Sequence, residues 1–293
     1  MTKIIDEKPD RYLNPFTDFG FKKLFGTEPN KDLLIDFLNE LIKEEGKITD
    51  IEYLNTERLG NFKTDRKAIF DLYCKNEKGE KFIVEMQKAK LNFFKDRSIY
   101  YSTFPIQEQG VKGEWDFNLK AVYTIGLLDF VFDDNKDNSE YFHHEVKLMD
   151  TKTKTVFFDK LTYIYIEMPK FKKEETELEN RFEMWLYVLK NMPNLQDIPP
   201  KLQERIFKKV FRVAEIANFS KEERMDYEDS LKKYRDLKGV VNTAREEGKL
   251  EGIKEGKLEG FKEIAKNLLD VLDDETISEK TGLSIEEIKR MRK

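Results

Sequence analysis

The chain has a single cysteine, Cys74, among its 293 residues. That excludes an intramolecular disulfide and any cysteine-rich zinc centre. Cys74 lies one alternation past Leu72 in a strand-like run, the place of a small buried hydrophobe. Histidine is almost as scarce: only His143 and His144 are present, adjacent in a predicted strand. Their side chains therefore point to opposite faces and do not readily share a metal. No apolar run approaches the roughly 20 residues of a membrane span, and the N-terminal MTKIIDEKPDRY lacks the apolar core of a signal peptide. These absences predict a cytoplasmic protein with no membrane partner. There is no P-loop, no G-x-G-x-x-G after a strand and no G-x-S-x-G, so nucleotide-driven work, hydride transfer and serine hydrolysis have no support. An excess of positive charge is missing too. At a net charge of −5 the chain as a whole does not attract nucleic acid, so any DNA contact needs a local basic surface or metal ions.

What is present is the composition of a folded chain, 39% hydrophobic and 38% charged with 13% aromatic. Phe21, Leu24, Phe25, Leu33, Leu34, Phe37, Leu38 and Leu41 recur at helical spacing over residues 17 to 45, interrupted near Pro29, with Asp32 as a start for the second helix. A short strand and loop follow over 47 to 60. KAIFDLYC and KFIVEMQ then read as two strands joined by KNEKGE. A helix is predicted over about 90 to 104, ending near Pro105. LKAVYTIGLLDFVF, FHHEVKLMD, TVFFDKL and TYIYIEM read as strands, with DTKTK as a turn. The first 170 residues are thus mixed helix and sheet; Trp115, and Trp185 beyond them, read as packing residues. After Pro169 the strand signals stop, and residues 174–191, 200–217 and 221–270 are helical in pattern. This predicts an α/β domain over 1–170, a helical region over 171–245, and a tail over 246–293, with a soft boundary near 170.

Two features of the tail stand out. In EEGKLEGIKEGKLEGFKE, Gly248, Gly252, Gly256 and Gly260 recur every fourth residue. They mark either close helix–helix approach, hence a homo-oligomer through the C-terminal helices, or a weakly stable charged tether. DDETISEKTGLSIEEIKRMRK reads as two short helices, with Gly282 closing the first and Ser284 with Glu287 boxing the second. Ile277, Leu283, Ile285 and Ile288 form a small predicted core. Lys289, Arg290, Arg292 and Lys293 cluster at its end, as in a helix-turn-helix DNA reader or a plain helical hairpin.

The chemistry-bearing residues lie on the strand pair. Pairing Asp71 with Glu85 centres the hairpin on residue 78, opposes Lys75 to Lys81 and leaves NEKGE as the loop. Asp71, Glu85 and Gln87 then share one face, and Phe70, Leu72, Val84 and Met86 the other. Two carboxylates that close repel each other. A divalent cation between them removes the repulsion, and carboxylate, water and backbone-carbonyl oxygens (Met86 supplies the carbonyl) suit Mg2+ or Mn2+ rather than zinc. Such a site would lower the pKa of a bound water and offset charge on a phosphoryl oxygen. Gln87 could orient the water or touch a phosphate. The alternative is a solvated polar face with an incidental acidic pair. Arg205, Lys208, Lys209 and Arg212 form a basic stripe on the helix around QERIFKKVFRVAEI, either a phosphate contact or a solvated face.

In NPFTDFGFKKLFG, the pair KAIFDLYC–KNEKGE–KFIVEMQ, the following DRSIYYS, the EGK repeat and the final ISEKTGLSIEEIKRM, taken in this order, the chain resembles the PD-(D/E)XK nuclease superfamily. Within it the closest resemblance is to the Rpn branch of recombination-promoting nucleases, also labelled transposases. The resemblance implies a restriction-endonuclease-like core: a mixed sheet flanked by helices, followed by the all-helical region. It implies a Mg2+-dependent endonuclease that hydrolyses DNA phosphodiesters with little sequence specificity. It puts the metal-binding aspartate on Asp71, the glutamate on Glu85 and the usual lysine position on Gln87. Asp18 falls on the first-helix acid and Arg97 on the cation of the helix after the catalytic strand. There are departures. Phe70 stands where proline is usual, and Gln87 replaces lysine, leaving Lys67, Lys88 or Lys90 to supply positive charge. A nuclease-like fold that only binds DNA or protein is therefore the competing reading. Lys208, Lys209, Arg212 and Arg290 are the candidate DNA contacts.

Overall fold

The computed structural model describes residues 10–43, 46–58, 68–110, 113, 116–132 and 140–292; Lys67 and Trp115 lie outside them. The chain divides into two compact units, Met1–Leu237 and Lys238–Lys293. Among the described residues no helix is long and apolar enough to cross a membrane.

The first unit opens with α1 (Asp18–Phe25), capped by the Thr17 hydroxyl, which accepts from Gly20 N–H. A single 3-10 turn containing Pro29 leads into α2 (Lys31–Leu41). The strands are β1 (Ile51–Tyr53), β2 (Glu57–Arg58), β3 (Ala68–Ile69), β4 (Leu72–Asn76), β5 (Lys81–Gln87), β6 (Val122–Leu128), β7 (His143–Met149) and β8 (Val156–Glu167). They form a six-stranded sheet in the order β1-β4-β5-β6-β8-β7, plus the small pair β2-β3. The β5–β6 and β6–β8 pairs are parallel and the others antiparallel. Between β5 and β6 runs α3 (Phe94–Gln107), the crossover that a parallel pair requires. TVFFDKL and TYIYIEM are one long strand, β8, rather than two. Helix α3 starts and ends later than its sequence suggests, and Pro105 lies within its last turn. There the missing N–H forfeits a single bond and the chain need not break.

Every residue of β6 is buried, because helices cover both faces of the sheet. One face carries the main core, where Phe82, Val84 and Ile125 meet Leu24, Phe25 and Phe37 of the first two helices. The same core takes Trp185 of α4 (Arg181–Asn191) and Phe207 and Phe211 of α5 (Arg205–Ala214). Phe25, Phe37 and Trp185 lie with ring centroids 5.5–5.7 Å apart. Each such buried aromatic is worth about 1.5–3 kcal/mol over exposure. Asp36 of α2 accepts from Trp185 Nε1 at 2.7 Å and from Arg181 at 2.8 and 3.1 Å, fixing α4 to α2. Position 170 therefore falls inside the first unit: the helices after it fill the same core as the strands before it. The opposite face packs on α3 through Phe94, Leu128, Phe132, Tyr163 and Tyr165, and separately through Phe70, Tyr73 and Ile83.

Helix α6 (Lys221–Leu268) begins in the first unit. There Tyr227 Oη accepts from Asn14 N–H at 2.9 Å and Ser230 Oγ from Phe19 N–H at 3.1 Å, while Glu223 pairs with Lys23.

In the second unit, α7 (Asp274–Thr281) and α8 (Ile285–Met291) close a small core of Ala265, Ile277, Leu283 and Ile288. Gly282 adopts φ +72° and donates to Ser278 O, and Ser284 and Glu287 complete the capping box. Ile285 stays 39% exposed, outside this core. Arg292 is bound to Asp274 and to the carbonyls of Leu269 and Leu272, so it ties helix ends together. A Cβ added at Gly248, Gly252, Gly256 or Gly260 would meet nothing within 4 Å.

Candidate active site

The hairpin has the expected register: Leu72 opposes Val84, Tyr73 Ile83, Cys74 Phe82 and Lys75 Lys81. Its loop is tightened by Asn76, whose Oδ1 accepts from the N–H groups of Lys78 and Glu80, with Gly79 at φ +80°. The strand does not run on unbroken to residue 70. Phe70 and Asp71 lie between β3 and β4, outside either strand, and the alternation of faces reverses there. Phe70, expected beside Leu72, Val84 and Met86, instead packs on the α3 side against Tyr73 and Tyr101, with centroids at 5.3 and 5.4 Å. Asp71 correspondingly opens beside α1. It lines a cavity of about 230 Å³ with Asp18, Phe21, Met86, Gln87 and Lys88.

Glu85 faces α3. It is 7% exposed and stands opposite Gly126 of β6, in a narrow pocket with Phe94, Arg97, Ser98, Tyr101 and Tyr165. Its Oε2 accepts from Gln87 Nε2 at 2.9 Å and from Arg97 at 3.3 Å. Its Oε1 is buried with no hydrogen-bond partner. Burial first, and then the charge of Asp71, push the Glu85 carboxyl up to about 8 against the pull of Arg97 and Gln87. Asp71 is also raised, chiefly by burial and further by Asp18. Opposing this are the hydrogen bond its Oδ2 accepts from Met86 N–H at 2.8 Å and the charges of Lys22 and Lys88.

The two acids thus sense each other electrostatically but open into different cavities. Gln87 links them, lining Asp71's cavity while donating to Glu85. Asp18, at the start of α1, shares Asp71's cavity and pairs with Lys22 at 3.2 Å. Arg97 sits against Glu85, its guanidinium 5.8 and 5.4 Å from the ring centroids of Phe94 and Tyr101. Of the candidate lysines, Lys88 lines Asp71's cavity, Lys90 is exposed and Lys67 is not described. Lys209 is engaged by Asp32 and Pro29 O. Arg212 borders a separate groove of about 580 Å³ with Arg181, Arg205 and Glu204. Lys208 is exposed on α5, and Arg290 is exposed on α8 of the second unit. None of the three on α5 lines Asp71's cavity. His143 and His144 have different partners. His143 packs on the Phe182 ring, while His144 pairs with the buried Glu167 at 3.4 Å.

Gly126 escapes notice in the sequence. A Cβ there would stand 3.0 Å from Tyr165 Cδ1 and 3.3 Å from Leu128 Cδ2, so glycine lets Tyr165 close over Glu85. The available signal is a lone glycine inside YTIGLL. Asp129, just past β6, donates its N–H to Gln87 O and accepts from Tyr234 Oη at 2.9 Å, which anchors the end of β5.

The donor set is all oxygen. An orphaned buried carboxylate oxygen beside a second raised carboxyl is the environment a divalent cation would relieve. Among the described residues no group of three or more His, Cys, Asp or Glu side chains is arranged to hold a metal.

A mixed sheet with helices on both faces, carrying an acid ahead of one central strand and a glutamate on the next, is the architecture of a PD-(D/E)XK nuclease fold. The family described as PD-(D/E)XK nuclease family transposase matches residues 15–244, and the chain belongs to it. Nucleases of this kind generally use divalent metal ions. Among curated proteins, dynein regulatory complex protein 9 of Homo sapiens is 25% identical over 193 residues, covering 59% of this chain. The chain spans less than half of that protein, 43% of its length. No solved structure matches.

Proposed function

We propose that this protein is a metal-dependent DNA endonuclease with little sequence specificity, acting in recombination or transposition. The observation that carries the reading is Glu85, a buried carboxyl raised to about 8 with one oxygen unpartnered, next to Asp71. Asp71, Glu85 and the Met86 carbonyl would hold Mg2+ or Mn2+, which when bound lowers the pKa of a water and offsets charge on a phosphoryl oxygen. The remaining roles fall to the chain itself. Arg97 holds Glu85 in place. Gln87 spans the two acids and can orient a water. Lys88, in Asp71's cavity, supplies positive charge where the wider superfamily has lysine on the strand. DNA enters along the broad groove of about 1150 Å³ that contains Asp18, Asp71 and Lys88, and the C-terminal helices add DNA contact or self-association.

The test is nicking of supercoiled plasmid with Mg2+ by wild type, Asp71→Ala and Glu85→Ala. Loss in both variants, with folding intact, is the expected result, and equal nicking by all three sinks the assignment. Gln87 in place of lysine favours a second reading, a nuclease-like module that binds without cutting. Retained DNA binding with no wild-type cleavage would support that instead.

A further inference from the structure

The sheet ends on β7, which among the described residues pairs with β8 alone. An edge strand presents a row of backbone donors and acceptors to any strand that can align with it. This one carries exposed apolar side chains, Val146 at 47% and Leu148 at 48%, around Glu145 and Lys147, which form an ion pair with each other at 2.8 Å. Charges on an edge usually deter pairing, but here their order makes the strand complementary to itself. Glu167 N–H donates to Phe142 O at 2.8 Å, so Phe142, and by the period of two His144 and Val146, turn their backbone groups inward to β8. Those of His143, Glu145 and Lys147 are then directed outward.

We propose that β7 pairs with β7 of a second copy of this chain, antiparallel about a two-fold axis through Val146, so that one sheet continues through both molecules. In that register Glu145 of each copy faces Lys147 of the other, and these outward residues exchange N–H···O bonds. Val146 meets its own equivalent at the close, non-hydrogen-bonded position. The neighbouring registers centred on Glu145 or Lys147 oppose like charges, and a one-residue slip sets outward groups against inward ones. Because the contact is isologous, each favourable pair occurs twice. The inference stands on the sheet edge and does not depend on the nuclease reading.

The test uses the full chain. Val146→Cys under mild oxidation is expected to give a disulfide-linked dimer, since residues at such a position are about 4.5 Å apart between Cα atoms. The native Cys74 is buried, so wild type serves as the blank. Leu148→Cys, which would face His144 of the second copy, is expected to stay uncrosslinked. In sedimentation velocity, Glu145→Lys weakens the dimer by about tenfold or more, and adding Lys147→Glu to the same chain restores it, with far-UV circular dichroism unchanged in both. A monomeric wild type, absence of the Val146→Cys cross-link, or a dimer indifferent to the charge reversals overturns the proposal.

Discussion

Metal binding at this site should carry a proton cost that pH can tune. Glu85 is raised from an ordinary 4.5 to about 8, which makes its ionised form roughly 5 kcal/mol less favourable in the folded protein than in the unfolded chain. The sign follows from the direction. A raised carboxyl contributes fully below pH 4.5, and that contribution is lost progressively as pH rises through 8. A cation that needs the carboxylate must displace the proton, so Mn2+ affinity should climb about tenfold per pH unit and level off above 8. Between pH 6 and pH 8 the Glu85 share of the gain is about fifty-fold. Calorimetric titration with Mn2+ at pH 6, 7 and 8, repeated in two buffers of different ionisation enthalpy, reads both the affinity and the protons released. Glu85→Gln should bind Mn2+ weakly at every pH, and its unfolding free energy should lack the loss that wild type shows as pH rises from about 4.5 through 8. Equal affinity at pH 6 and pH 8, or binding without proton release, would refute the reasoning.

Arg97→Ala removes a cation that lowers the Glu85 carboxyl, so the pH at which Mn2+ affinity levels off should move upward; an unmoved profile would show that Arg97 does not act on Glu85. Gly126→Ala should cost about 1–3 kcal/mol in denaturant unfolding, because its Cβ meets Tyr165 at 3.0 Å. Trp185→Ala should cost about 3–5 kcal/mol, whereas Trp185→Phe should lose only about 1–2 kcal/mol, for the indole bond to Asp36. Gly252→Ala and Gly256→Ala should each raise helix stability by about 0.5–1 kcal/mol, measured by circular dichroism on the full chain, since nothing surrounds either position.

The register around residue 78 was legible in the sequence because a polar loop of fixed length and a strict apolar alternation leave little choice of pairing. The same alternation misleads at Phe70 and Asp71. Nothing in KAIFDLYC announces that β3 ends at Ile69 and β4 begins at Leu72, so the faces of both Phe70 and Asp71 are read wrongly: Asp71 opens beside α1 while Glu85 faces α3. Arg97 could be found only through the family resemblance, since a cation in the first turn of a helix carries no mark of the strand it will meet. The composition change after Pro169 correctly announces helices. It does not say that Trp185, Phe207 and Phe211 belong to the core of the sheet that precedes them, because an apolar helix face does not name its partner. The tail was the most legible part: its caps are local, and Gly282, Ser284 and Glu287 act where the sequence puts them.

The grip of α6 on the start of the chain has a consequence for synthesis. Tyr227 and Ser230 hold the backbone at Asn14 and Phe19, bonds that join residues made first to residues made 213 and 211 positions later, and Tyr234 reaches Asp129, 105 positions back. A ribosome-bound chain that stops short of these residues carries both acids but leaves the wall of the groove beside Asp71 unlatched. A nuclease assembled in this order is expected to be harmless while half made. Stalled chains ending before residue 221 should neither protect Phe19 N–H from exchange nor nick plasmid, and nicking by such chains would show that the latch is dispensable.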